Sequence, residues 1–316
     1  EALSARAVAP PGFVYFVHAH KSAGSFFSCL ARHLSPIDHK PFDTANNPYC
    51  HTPHFSHFCP PGAQIVPYWS WSAEKQHNFL SSLQPLSMIG NERWLGYEML
   101  DPGTMIGQAG VLRYVYVIRD PLERVLSHHR YAFAGKWIKS SEQDYTISAC
   151  LERDAGFRCW DRNYYIQQLA GIEACGAIPS AAGDQDSGEV VAECGRHALE
   201  KAKAKLEMFA VVVILDWMHL YGPVFCDRLG WCNSEVLSWL DAETPACGTR
   251  KQLLARPELH SALAKRNELD IELYQHARHL ALKQLAGAGV EVEVEEMQRF
   301  TEEHCNKSQA VRTDKI

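Results

Sequence analysis

Two stretches of the 316-residue chain put cations and hydroxyls where a buried strand gives way to a helix. The first is HAHKSAGS (18–25), which follows the apolar run FVYFV and leads into the helix-like pattern SAGSFFSCLARHL (22–34). A turn entering a helix presents free backbone N–H groups and the positive end of the helix dipole, and together these favour a phosphate. Lys21 adds a point charge, Ser22 and Ser25 add hydroxyl donors, and Gly24 lets the backbone approach an oxygen closely. The second stretch, VYVIRDPLERVLSHHRY (115–131), couples a buried strand to Arg119 and, eight residues on, to Ser127. Arg119 at the strand end and Ser127 two turns into the following helix can converge on one anion, the first with a planar fork and the second with a neutral hydrogen bond. Asp120, beside an arginine, reads as an ion-pair partner rather than a metal ligand. In the plainer alternative, Arg119 simply pairs with Asp120 or Glu123 on the surface.

A nucleoside-triphosphate loop would read GxxxxGK[ST]. Here no glycine precedes Lys21 until Gly12, and Gly24 comes after the lysine. Arg119 also stands where such enzymes carry a magnesium-binding aspartate. The sequence is therefore expected to hold phosphate without a metal.

The elements that must position these groups are legible from periodicity. Strands are expected over 13–18, 87–92, 113–118 and 208–215, with a short one at 64–68. Helices are expected over 22–34, 121–133, near 143–152, 161–170 and 195–207, and across 257–286. Pro121 sits at a favoured first-turn position. Short all-apolar strands alternating with amphipathic helices predict a parallel sheet with helices on both faces, a three-layer α/β/α arrangement with a helical C-terminal part. The economical organisation is one domain over 1–316, with an N-terminal extension (1–12), a long ordered loop region (35–72), a surface excursion around 171–189 and an acidic, exposed C-terminal tail from about 290.

Composition narrows the class. The formal charge is 31 − 37 = −6, against a nucleic-acid binder. Locally, 113–139 carries six Lys or Arg against two acids, so one region is electropositive. The longest apolar runs, FAVVVIL (209–215) and VLRYVYVI (111–118), fall short of the roughly 20 residues a membrane helix needs. The chain starts at Glu1, so an anchor or signal can precede it. Eleven cysteines with no CxxC predict disulfides rather than zinc, with Cys50/Cys59, Cys150/Cys159 and Cys226/Cys232 suitably spaced.

Together, HKSAGS after one strand and RDPLERVLSHHRY after another resemble the 5′- and 3′-phosphosulfate motifs of sulfotransferases that use 3′-phosphoadenosine 5′-phosphosulfate (PAPS). The closest likeness is to the Golgi carbohydrate branch, including the 2-O- and 6-O-sulfotransferases of heparan sulfate. Weaker echoes follow in the family's order at NYYIQQLAG (163–171), ALEKAKAKLEMFAVVVILDWM (198–218) and NELDIELYQHA (267–277), so the likeness spans roughly 13–280. It implies a P-loop-like fold and transfer of a sulfonyl group from PAPS to an acceptor hydroxyl, leaving adenosine 3′,5′-bisphosphate, with no metal. His20, Lys21, Ser22, Ala23, Gly24, Ser25 and Phe26 would cradle the 5′-phosphosulfate, Arg119 and Ser127 would hold the 3′-phosphate, and Lys21 would also stabilise charge on the departing phosphate.

The acceptor needs a base. By the resemblance, His54 in PHFSHF is the first choice, although the glycine that precedes the histidine in the family is missing here; His51 and His57 are alternatives, and Glu92 is the carboxylate candidate. The aromatic segment YWSWSAEKQHNF (68–79), with Trp94 and Tyr97, could stack on sugar rings or belong to the core. The expected acceptor is a carbohydrate hydroxyl, with a small-molecule alcohol or protein tyrosine as alternatives. The expected compartment is the Golgi lumen, with the cytoplasm as the alternative. A metal-dependent nucleotide kinase and a non-catalytic nucleotide-binding relative are the competing classes.

Overall fold

A computed structural model describes residues 13–19, 22, 88–91, 112–134, 162–175, 194–232, 253 and 255–293. Its strands are β1 (Phe13–His18), β2 (Met88–Asn91), β3 (Leu112–Ile118) and β4 (Val211–Ile214). Helix α1 (Pro121–Ala134) leaves β3 directly; α2 (Tyr164–Ala170) and α3 (Arg196–Glu207) come next, and α4 (Gly222–Leu229), α5 (Pro257–Arg266) and α6 (Glu268–Gly287) follow β4. The four strands form one sheet in the order β2-β1-β3-β4, and every pairing is parallel. The chain is thus of the α/β class, as its alternating pattern predicts.

The centre of this sheet follows from the sequence. Arg113 to Ile118 of β3 and all four residues of β4 are buried, as expected of strands covered on both faces. On β3, Tyr114 and Tyr116 lie on one face because side chains alternate; both meet Phe209 at 5.6 Å between ring centroids, and Tyr116 meets Tyr165 of α2 edge-on at 6.3 Å. The Tyr116 hydroxyl donates to Gln168 Oε1 at 2.8 Å, which satisfies a buried phenol and fixes α2 on the strand.

The side of β4 facing away from β3 is closed by side chains. Val212 N donates to Gln284 Oε1 of α6 at 2.9 Å, Ile214 N donates to the Tyr221 hydroxyl at 3.2 Å, and that hydroxyl donates to Val212 O at 2.8 Å. Groups that would otherwise recruit another strand are thereby occupied.

Two helix N-termini cap each other across about a hundred residues of sequence. Asp270, in the first turn of α6, accepts Tyr165 N at 3.0 Å and Ile166 N at 2.9 Å, both first-turn donors of α2 that have no partner within their own helix. In return Asn163, which precedes α2 in the left-handed conformation (φ 42, ψ 47), accepts Asp270 N at 3.1 Å, and Asn163 N donates to Asn267 Oδ1 at 3.0 Å. The helical pattern expected across 257–286 breaks at Asn267 for the same reason. Its side chain serves the backbone on both sides, donating to Leu263 O at 3.0 Å.

Among the described residues two disulfides are formed. Cys226–Cys232 clasps the end of α4, as its spacing predicts. Cys175–Cys194, 19 residues apart in sequence, is a pair that spacing did not single out. Such bonds persist in oxidising compartments. Among the described residues no helix is long and apolar enough to cross a membrane. The pairs Cys50/Cys59 and Cys150/Cys159, the strand at 64–68, the helix at 143–152 and, apart from Ser22, the helix at 22–34 lie outside the described residues, as does the N-terminal extension.

Candidate functional site

The sheet order reverses at β1: the chain goes from β1 to β2 on one side, then crosses to β3 on the other. In open parallel sheets such a switch point leaves a crevice beyond the carboxyl ends of the two diverging strands, and ligands bind there. The register pairs His18 with Val117, so the turn after β1 lies beside the turn after β3. Ala19 and Ser22, after β1, and Arg119 and Asp120, after β3, therefore emerge side by side at the sheet's switch point.

One hydroxyl joins them. The Tyr165 hydroxyl donates to Arg119 O at 2.9 Å and accepts from Arg119 N at 3.1 Å, while Ser22 Oγ lies 3.3 Å away. A phenol has one hydrogen to give, and Arg119 O receives it, so Ser22 donates to Tyr165. The Ser22 backbone N–H is directed at Ala19 O, 3.1 Å away. Both hydrogens of Ser22 thus point into the protein, and in this conformation the residue anchors the loop. Tyr165 itself is fully buried, with its backbone N held by Asp270 and its ring against Tyr116 and Tyr164. Burial pushes its hydroxyl up to about 12, so it stays protonated.

Arg119 is buried and donates through Nη2 to Glu123 Oε2 at 2.9 Å. This corrects the expectation for Asp120, and it moves the alternative Arg119–Glu123 pair from the surface to the interior. Asp120 Oδ1 instead accepts Leu122 N at 2.9 Å and Glu123 N at 3.0 Å, so Asp120 caps α1 with Pro121 in the first turn. With those two N–H groups capped, an anion beside α1 must be met chiefly by side chains. Ser127 is half-buried one turn beyond Glu123, on the face of α1 from which Glu123 holds the guanidinium. The expected convergence of Arg119 and Ser127 thus has a helix face to occur on.

Glu123 belongs to the site and was missed as a functional group. Burial, then the Asp216 charge beyond β4, raise its carboxyl to about 7 against the opposing pull of Arg119, with Asp120 adding to the rise.

Arg124 and Asp270 form the support beneath. The Arg124 guanidinium lies over the Tyr164 ring at 4.4 Å and 5.8 Å from the centre of the Tyr165 ring, and its side chain is fully buried. Burial drives the Asp270 carboxyl up to about 6, while the N–H groups of Tyr165 and Ile166 and then the Arg124 charge hold it down. Tyr165, Asn163 and Asp270 all fall in the strings NYYIQQLAG and NELDIELYQHA, which register in sequence only as echoes of family order. His20, Lys21, Ala23, Gly24, Ser25, Phe26, His51, His54, His57 and Glu92 lie outside the described residues.

No protein-family model matches the chain, and no curated protein matches it.

Proposed function

We propose that this chain is a PAPS-dependent sulfotransferase with a P-loop-like three-layer α/β/α fold, acting on an acceptor hydroxyl, most simply that of a carbohydrate, in the Golgi lumen. One observation carries the reading. Ser22 and Arg119, from two strand-end stretches that separately suit anions and lie about a hundred residues apart in sequence, meet at the switch point of a parallel sheet, with one tyrosine hydroxyl joining them. A ligand with phosphate groups at both ends of a ribose suits that arrangement better than a triphosphate chain lying along a single loop.

The residues fit the nucleotide at its 3′ end. Arg119 offers a buried guanidinium and Ser127 a half-buried hydroxyl on the same side of α1. In this reading Lys21 and the backbone of 23–26 hold the 5′-phosphosulfate while Ser22 anchors the turn, and Lys21 stabilises charge on the leaving phosphate. PAPS supplies an activated sulfonyl group. His54 takes the proton of the attacking hydroxyl, with His51, His57 and Glu92 as the other groups able to do so.

The test is thermal unfolding of the full chain with adenosine 3′,5′-bisphosphate, in EDTA and with Mg²⁺. Stabilisation is expected in both conditions; at a nucleotide concentration 100 times Kd it amounts to about 2.7 kcal/mol. No shift overturns the reading, and a shift only with metal overturns it in favour of a metal-dependent nucleotide kinase. His54→Ala is expected to keep this stabilisation and lose turnover; unchanged turnover moves the base role to one of its alternatives.

A further inference from the structure

We propose that the Tyr165 hydroxyl is a positioning group that couples the two phosphate sites, so that a ligand's 5′ and 3′ phosphates bind cooperatively. This deepens the sulfotransferase reading and rests on it.

The geometry is specific to coupling. Of the three hydrogen bonds at this oxygen, two go to the backbone of Arg119 and one to the side chain of Ser22, 143 residues apart from Tyr165 in sequence. The hydroxyl's hydrogen and two lone pairs are all engaged, so neither turn can shift without breaking a bond to the oxygen that also holds the other. The oxygen itself cannot drift. Its ring is packed edge-on against Tyr116 and Tyr164, and its backbone is held by the Asp270 carboxylate.

Arg119 is bonded at both its N–H and its C=O, which fixes the point from which its side chain departs. Ser22 lies inside the string expected to cradle the other phosphate, and its backbone closes a tight turn on Ala19. A bisphosphate is a bivalent ligand. Its second phosphate benefits from the first only if the distance and angle between the two sites are set in advance. Tyr165 is the group that sets them. This also gives a reason for a tyrosine at this position: a rigid ring carries one polar atom from the buried α2 helix to the mouth of the sheet.

Tyr165→Phe removes the hydroxyl and keeps the ring. Calorimetric titration of the full chain with adenosine 3′,5′-bisphosphate, adenosine 5′-monophosphate and adenosine 3′-monophosphate reads the coupling directly. The variant is expected to lose about 10-fold in affinity for the bisphosphate, the scale of one buried hydrogen bond, while each monophosphate changes by less than about 3-fold. A simple loosening of the fold would weaken all three alike, and that uniform loss overturns the proposal, as does an unchanged bisphosphate affinity. Ser22→Ala breaks the same link from the other side, so it keeps the question answerable if the tyrosine variant fails to fold. As part of the link it weakens the bisphosphate selectively. As a direct phosphate donor it would weaken the 5′-monophosphate equally, which contradicts the proposal. Wild-type protein that does not bind the bisphosphate overturns the sulfotransferase reading itself, whereas normal wild-type binding with the wrong variant pattern overturns the coupling alone.

Discussion

Arg119→Ala is expected to reduce affinity for adenosine 3′,5′-bisphosphate by about 100-fold or more, because truncating one partner of a buried charge pair costs about 2–5 kcal/mol. The same variant should bind adenosine 5′-monophosphate with nearly wild-type affinity, since in this account the guanidinium meets only the 3′-phosphate. Arg119→Lys should recover little, because an ammonium cannot offer the two parallel donors of a guanidinium. A loss below about 3-fold on titration calorimetry would remove Arg119 from the 3′ site.

The stability of that variant carries its own signature. Without the guanidinium, Glu123 is left buried beside Asp120 and Asp216, and its carboxyl, already near 7, moves higher. A carboxyl whose folded-state pKa lies above its unfolded value binds more protons when folded. The folded state is therefore favoured in acid and loses stability as pH rises from the ordinary glutamate range through the raised value. Arg119→Ala should accordingly be close to wild type near pH 6 and clearly weaker near pH 8 in chemical denaturation. Adding Glu123→Gln should flatten the difference.

Asp270→Ala should be the most destabilising single change away from the phosphate ligands, costing about 3–5 kcal/mol. It orphans two buried first-turn N–H groups of α2, those of Tyr165 and Ile166, and removes a negative charge that interacts with the fully buried Arg124. The helix that loses its cap is the one that delivers the Tyr165 hydroxyl, so bisphosphate binding should fall together with stability. Asp270→Asn keeps the shape and one acceptor oxygen and should cost about half as much. Urea denaturation measures both, and a cost below ~1 kcal/mol for the alanine variant would show that α2 is held by its packing alone.

How far the sequence alone leads differs from feature to feature. RYVYVI and VVVI read as buried strands, and Pro121 announces a helix start, because these signals are local. The neighbouring positions of Arg119 and Ser22 follow from sheet order, which a run of strands suggests without fixing. Which of two neighbours pairs with Arg119 could not be decided from the sequence. Asp120 and Glu123 are both near it in sequence, and only the capping geometry of α1 decides that one serves the backbone while the other takes the guanidinium. Tyr165 was hidden more deeply, since its role depends on contacts 46 and 143 residues distant, and tyrosine in a helix reads as core. Its ring is indeed core; only its oxygen belongs to the site.

Incubating the full chain with PAPS radiolabelled at sulfur, and with carbohydrate, small-alcohol and tyrosine-peptide acceptors in EDTA, tests the central claim most directly. The account predicts label on an acceptor hydroxyl, first among the carbohydrates, with one adenosine 3′,5′-bisphosphate released per sulfonyl group transferred. Tight binding of the bisphosphate with no label on any acceptor would contradict it and leave a nucleotide-binding protein without transferase activity.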